Sequence, residues 1–151
     1  MANIDLELLK KLREETAASV SDCRRALEES SGDYKKALDW LKTRAAEKAE
    51  KKLNRETGEG FIGTYVHQNG KVAAMVELLC ETDFVARTDE FQKLAKEIAM
   101  QVAAMSPENV DALFKQDYIR DASMTIEQMI KQVIGKLGEN ITVKGFSRLA
   151  I

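Results

Sequence analysis

The stretch FIGTYVHQNGKVAAMVELLC, residues 61–80, limits the possible folds more than any other part of the chain. Phe61, Gly63, Tyr65 and His67 alternate with Ile62, Thr64 and Val66, the two-residue period of a strand. Asn69-Gly70 follows, the dipeptide best suited to a tight type I′ hairpin turn. The returning arm runs from Lys71 to about Glu81. Val72, Ala74, Val76, Leu78 and Cys80 share one of its faces, and Glu77 and Glu81 lie on the other.

The residues after the hairpin supply the cover for its apolar face. Thr88 or Asp89 caps a helix with Phe91, Leu94, Ala95, Ile98, Val102 and Met105 as its apolar stripe. Ser106-Pro107, with the only proline of the chain, stops it. Residues 108–122 are less regular. Ser123 or Thr125 starts a last helix, with Thr125 and Gln128 at capping-box spacing. Ile126, Met129, Ile130, Val133, Ile134 and Leu137 form its buried face, and Gly138 ends it. NITVKGFSRLAI then reads as a third strand. This order predicts an α+β domain over residues 56–151: a three-stranded antiparallel sheet with helices packed on one face.

Residues 1–55 read differently. Ile4, Leu8, Leu9 and Leu12 make the apolar face of a short helix. ETAASVSD breaks it, and Ser19 or Ser21 caps a second helix with Cys23, Ala26 and Leu27 inward. Gly32 breaks again. Asp33 caps a third helix with Ala37, Leu38 and Leu41 inward and Trp40 partly so. Three such helices predict a compact bundle with a small core. From Lys42 to Arg55 the pattern is alanine and charge, which favours helix but offers little to bury. We expect an exposed, basic helical extension that becomes a linker.

Composition narrows the function. The chain has 151 residues and a net charge of −2, so no global pull toward nucleic acid is expected. No apolar run approaches the ~18 residues that cross a bilayer. The N-terminus lacks the pattern of a signal peptide, which places the chain in the cytoplasm or an equivalent compartment. Cys23 and Cys80 form no CxxC pair, so neither a disulfide framework nor a zinc site is expected. His67 is the single histidine, and a lone histidine in a strand reads as structural. Phosphate loops, dinucleotide fingerprints, nucleophile elbows and HExxH pairs are absent from the sequence. The expectation is a binding or regulatory protein, not an enzyme, with no catalytic residue, metal ligand or cofactor.

CETDFVAR, residues 80–87, poses the sharpest question. A large ring, Phe84, stands beside a carboxylate, Asp83, at a strand-to-helix junction where polar turn residues are usual. Either the ring fixes the chain as it enters the next helix, or it is offered to something outside the molecule.

Three blocks together resemble one family. KKLREETAASVSDCRRALEESSGDYKKALDWL resembles the N-terminal domain of bacterial elongation factor Ts. CETDFVAR followed by FQKLAKEIA resembles that family's core motif, and GKLGENITVKGFSR its signature near the end of a core unit. The resemblance implies a guanine-nucleotide exchange factor for elongation factor Tu, one that speeds GDP release. It implies that Thr82, Asp83, Phe84 and Val85 intrude beside the GTPase's magnesium site and disturb magnesium and phosphate binding. It further implies that residues 1–55 adopt a ubiquitin-associated (UBA-like) fold that docks on the nucleotide-binding domain. Leu12 and Val20 occupy the contact positions.

The sequence also departs from that family. Where relatives read glycine-alanine-glycine-methionine-methionine, this chain has Ala17-Ala18-Ser19-Val20-Ser21. Residues 106–124 replace longer helical material. Many relatives carry a second core half beyond the GENI strand, and a homodimer through the core domain would restore it. Two other readings stand beside the exchange factor. One is a chaperone-like module that binds elongation factor Tu without driving exchange. The other is a nucleic-acid-associated protein using the basic helix at 42–55, whose binding would fall steeply with salt.

Overall fold

The structure, a computed structural model, describes residues 4–151; the first three residues of the expected bundle lie outside them. Helix α1 spans Leu6–Thr16, α2 Val20–Glu29 and α3 Tyr34–Glu50. Each starts on a short polar cap. Asp5, Ser19 and Asp33 accept from the backbone N–H of Glu7, Asp22 and Lys36, satisfying donors that a helix start leaves free. Leu12, Cys23, Ala26, Leu27, Ala37 and Leu41 form the buried cluster between the three helices.

The remainder is α+β. Strands β1 (Glu59–Val66), β2 (Val72–Cys80) and β5 (Thr142–Ala150) make a three-stranded antiparallel sheet in the order β1-β2-β5. Helices α4 (Asp83–Ala86), α5 (Asp89–Met105), α6 (Val110–Lys115) and α7 (Ile126–Leu137) complete it. Ala74, Val76, Leu78 and Cys80 of β2 are buried beneath α5, as the alternation requires. Gly63 is the contact point of α5 with β1. A Cβ there would stand 2.4 Å from the backbone carbon and oxygen of Ala95, so only glycine permits this approach. Thr88 caps α5, and Thr125 with Gln128 forms the expected capping box of α7.

Three expectations are corrected. The hairpin turn is not type I′, because Gly70 takes a positive φ and Asn69 does not. His67 to Lys71 instead form a longer loop, with the Gly70 N–H donating to the His67 carbonyl and the Asn69 side chain accepting from the Lys71 N–H. Residues 106–124 are more ordered than their pattern suggests. They hold α6 and a small two-stranded ribbon, β3 (Asp117–Tyr118) with β4 (Asp121–Thr125). Gln101 of α5, fully buried, ties this ribbon down by donating to the Asp117 carbonyl and accepting from the Ile119 N–H.

The third correction concerns the basic extension. Residues 42–50 are not a solvated helix but the second half of α3, packed on α7. Ala45 meets Gly135 so closely that a Cβ on Gly135 would lie 2.8 Å from that of Ala45. Ala49 is buried in the α+β core, and Glu50 pairs with Lys131 at 2.9 Å, raising the lysine above its ordinary pKa. Small residues bring the two helices together without a large apolar stripe. No helix among the described residues is long and apolar enough to cross a membrane.

Candidate functional site

The end of β2 runs directly into a capped single turn of helix. Thr82 is extended, with φ −127° and ψ 155°, and its hydroxyl accepts from the Val85 N–H at 3.4 Å. Four residues of helix do not sustain themselves, because nucleation costs more than one turn returns. The turn is therefore held from outside. Ala86 is buried and Val85 packs against the core cluster. Thr88 donates to the Val85 carbonyl at 2.7 Å and accepts from the Phe91 N–H, so α4 and α5 share one joint. The Cys80 thiol lies 3.1 Å from the Thr82 carbonyl; burial, with the nearby Glu139 charge, pushes its pKa up to about 11. That thiol stays protonated and unreactive at neutral pH.

With Val85 and Ala86 inward, Phe84 points out. The residue is 80% exposed. It does not staple α5, which removes the first of the two readings of CETDFVAR. Burying such a side chain would stabilise the fold by about 1.5–3 kcal/mol, and here that is forgone. Asp83 lies beside it, paired with Arg87 at 3.0 Å on the open surface. An exposed pair of this kind is worth under about 1 kcal/mol, so it opens readily to a competing charge.

The backing of the turn comes from the junction of α7 and β5, which sequence reasoning did not single out residue by residue. One Glu139 carboxylate oxygen accepts from the Glu81 and Thr82 N–H groups at 3.2 and 3.0 Å; the other accepts from the Thr82 hydroxyl at 2.7 Å. The only signal in the sequence was a carboxylate and an amide placed directly after the helix-ending Gly138. No group of acidic, histidine or cysteine side chains among the described residues is placed to hold a metal ion. A cleft of about 400 Å³ between the helical bundle and α7 includes none of residues 82–85.

The N-terminal positions fare differently. Val20, at the first turn of α2, is 48% exposed and stands on the surface. Leu12, expected at a docking surface, is wholly buried in the bundle core. It cannot touch a partner without opening the bundle, and the apolar period that pointed it inward was the better guide.

Comparison with known proteins agrees with the motifs. A family model described as Elongation factor TS matches residues 81–151. A protein named elongation factor Ts from Nitratidesulfovibrio vulgaris is 39% identical over 193 aligned positions, covering 98% of this chain and 96% of its own length. The namesake from Oleidesulfovibrio alaskensis is 39% identical, covering 100% of this chain and 99% of its own. That alignment takes 196 positions against the 151 residues here, so the relative carries 45 positions that this chain lacks. A third, from Nostoc sp. strain PCC 7120, is 43% identical over 151 positions, which are all of this chain and 48% of that protein. On these matches across its whole length, the chain belongs to the elongation factor Ts family.

Proposed function

We propose that this protein binds elongation factor Tu in its GDP-bound state and promotes GDP release, with Phe84 as the wedge. One observation carries the reading: an exposed aromatic ring on a turn whose cap, Thr82, and foot, Val85, are bonded into its own molecule. Exchange needs no nucleophile. It needs a surface that binds the nucleotide-free GTPase better than the nucleotide-bound one, and the coupling is reciprocal. A rigid ring suits this task, because a packed nucleotide site shifts between discrete arrangements rather than yielding smoothly. Asp83, released from Arg87, then faces the partner's magnesium and repels its phosphates. Thr82 and Val85 complete the motif as its cap and its inward foot.

Residues 56–151 are the core that carries the wedge, and residues 1–55 are the UBA-like bundle whose Val20 docks on the nucleotide-binding domain. The reading places the protein in the cytoplasm with the translation machinery, without direct contact to nucleic acid or membrane. The test is release of a fluorescent GDP analogue from elongation factor Tu, with wild type, Phe84→Ala and Asp83→Ala. Acceleration that both substitutions weaken supports exchange. Binding without acceleration supports the chaperone-like module, and salt-sensitive binding to nucleic acid without either supports the third reading.

A second proposal rests on the outer face of the sheet. Ile62, Val66, Met75 and Leu149 are all exposed there, and the pairing of Val66 with Ala73 and of Ala73 with Leu149 joins three of the rows. Thr64, Glu77 and Ser147 share this face, and exposed apolar side chains gathered among polar ones in this way mark an interaction surface. Two copies stacked face to face would cover it as a homodimer. Light scattering at micromolar concentration should give the dimer mass, and Met75→Lys should return the monomer. A wild-type monomer under those conditions removes the proposal.

A further inference from the structure

Three segments far apart in the chain meet behind the Phe84 turn. Glu139 receives the N–H groups of Glu81 and Thr82 and the Thr82 hydroxyl. Glu81 answers in the other direction, accepting from the Asn140 N–H at 2.8 Å and facing the Arg55 guanidinium at 3.6 Å. Asn140 is 1% exposed, and its side-chain amide donates to the carbonyls of Leu53 and Arg55 at 3.3 and 2.8 Å. Its orientation is settled by those two acceptors, since the flipped amide would set oxygen against oxygen.

The chemistry of this node is specific. Three donors converge on Glu139, and a carboxylate has about four acceptor positions. A glutamine there would turn an NH2 group toward the Thr82 hydroxyl and leave that hydroxyl proton without its acceptor. Bonds to a charged acceptor are stronger than neutral ones, and the shortest here is that of the Thr82 hydroxyl at 2.7 Å. They act on Thr82, the residue that caps α4 and thus sets the direction of the residue two places on, Phe84.

We propose that Glu139 is a positioning residue for nucleotide exchange: it fixes the cap of α4 and so the direction in which Phe84 is presented. Asn140 and Arg55 tie that cap to the segment leaving α3, so the wedge and the end of that helix keep one mutual geometry. The inference rests on the reading that Phe84 drives release.

The test is a double-mutant cycle in the same GDP-release assay, using the full chain. Glu139→Gln should slow the maximal stimulated rate about tenfold, as losing one charge-assisted bond implies, with the half-saturating concentration nearly unchanged. Thr82→Val, which removes the bonded hydroxyl at similar size, should reproduce the loss. In a Phe84→Ala background the Glu139→Gln change should have no further effect, because both act on one event. Circular dichroism and hydrogen exchange report whether each variant folds and whether the Glu81 and Thr82 amides lose protection. A purely structural Glu139 would add its loss to that of Phe84→Ala, and additive losses overturn the proposal. Full activity of a folded Glu139→Gln overturns it as well, while leaving the wedge intact. Full activity of Phe84→Ala overturns the wedge, and this inference with it.

Discussion

Two turns in this molecule offer a large apolar side chain at the start of a helix, and they are held in different ways. Phe84 follows Thr82, and Val20 follows Ser19; each hydroxyl caps its own helix. Behind Thr82 stands Glu139, 57 residues away in the chain. Behind Ser19 the backbone ties are local, and the one longer reach is between surface side chains, Lys48 of α3 donating to Asp22 at 2.7 Å. The Ala18 N–H donates to the Thr16 hydroxyl at 3.2 Å, and Ala17 sits at φ 52°, a left-handed conformation that suits glycine. The buried clusters differ likewise: among the described residues, twenty support the first turn and six the second. A tie across the fold fixes a turn relative to the whole molecule, whereas a tie within a few residues fixes it only relative to its own helix. Phe84 is therefore presented by a stiff frame and Val20 by a compliant one.

The contrast can be broken from either side. The largest effect is expected from Leu12→Ala, which empties the centre of the six-residue cluster and should cost about 4 kcal/mol. Trp40, the only tryptophan, lies in α3 and reports on the bundle. Its fluorescence should then change at lower urea than the circular dichroism of the whole chain. Coincident transitions would mean that bundle and core unfold as one unit and that the contrast is false. Gly63→Ala tests the other side. Its methyl would collide with the Ala95 backbone, so the urea midpoint should fall by an amount equivalent to about 3 kcal/mol. A loss below about 1 kcal/mol would show that α5 slides easily on β1 and that the frame is not stiff.

Ala17→Gly should give a smaller effect of the opposite sign. Relief of the left-handed strain should stabilise the bundle by about 1 kcal/mol, read from the Trp40 transition. No gain would mean that the loop relaxes at no cost. The resemblance had suggested a loop altered by loss of glycine, and the φ at Ala17 gives that alteration its physical content.

Much of the scaffold was legible because burial leaves a period in the sequence. The alternation in β1 and β2 and the stripe of α5 follow from which face is covered, and Asp33, Thr88 and Thr125 cap where their spacing says they should. Residues 42–50 were misread because pattern reasoning looks for large apolar side chains. The α3–α7 contact is made by Ala45, Ala49 and Gly135, which associate through close approach. The hairpin turn was misread because Asn-Gly favours one turn without requiring it. Phe84 was noticed for being apolar in a polar place, but its outward direction depends on Val85 and Ala86 finding room inside. Glu139 and Asn140 bond partners 57 to 87 residues away, and no local period encodes such bonds.

The central claim is that Phe84 acts on the bound nucleotide rather than merely adding contact area. The most direct measurement is the GDP-release rate from elongation factor Tu at saturating protein, comparing wild type with Phe84→Ala. Loss of a desolvated aromatic contact worth about 2 kcal/mol should slow that rate about thirtyfold. The half-saturating concentration should change much less, since the substitution leaves the proposed bundle contact untouched. An unchanged saturating rate with weakened binding would contradict the claim and leave Phe84 as a docking contact only.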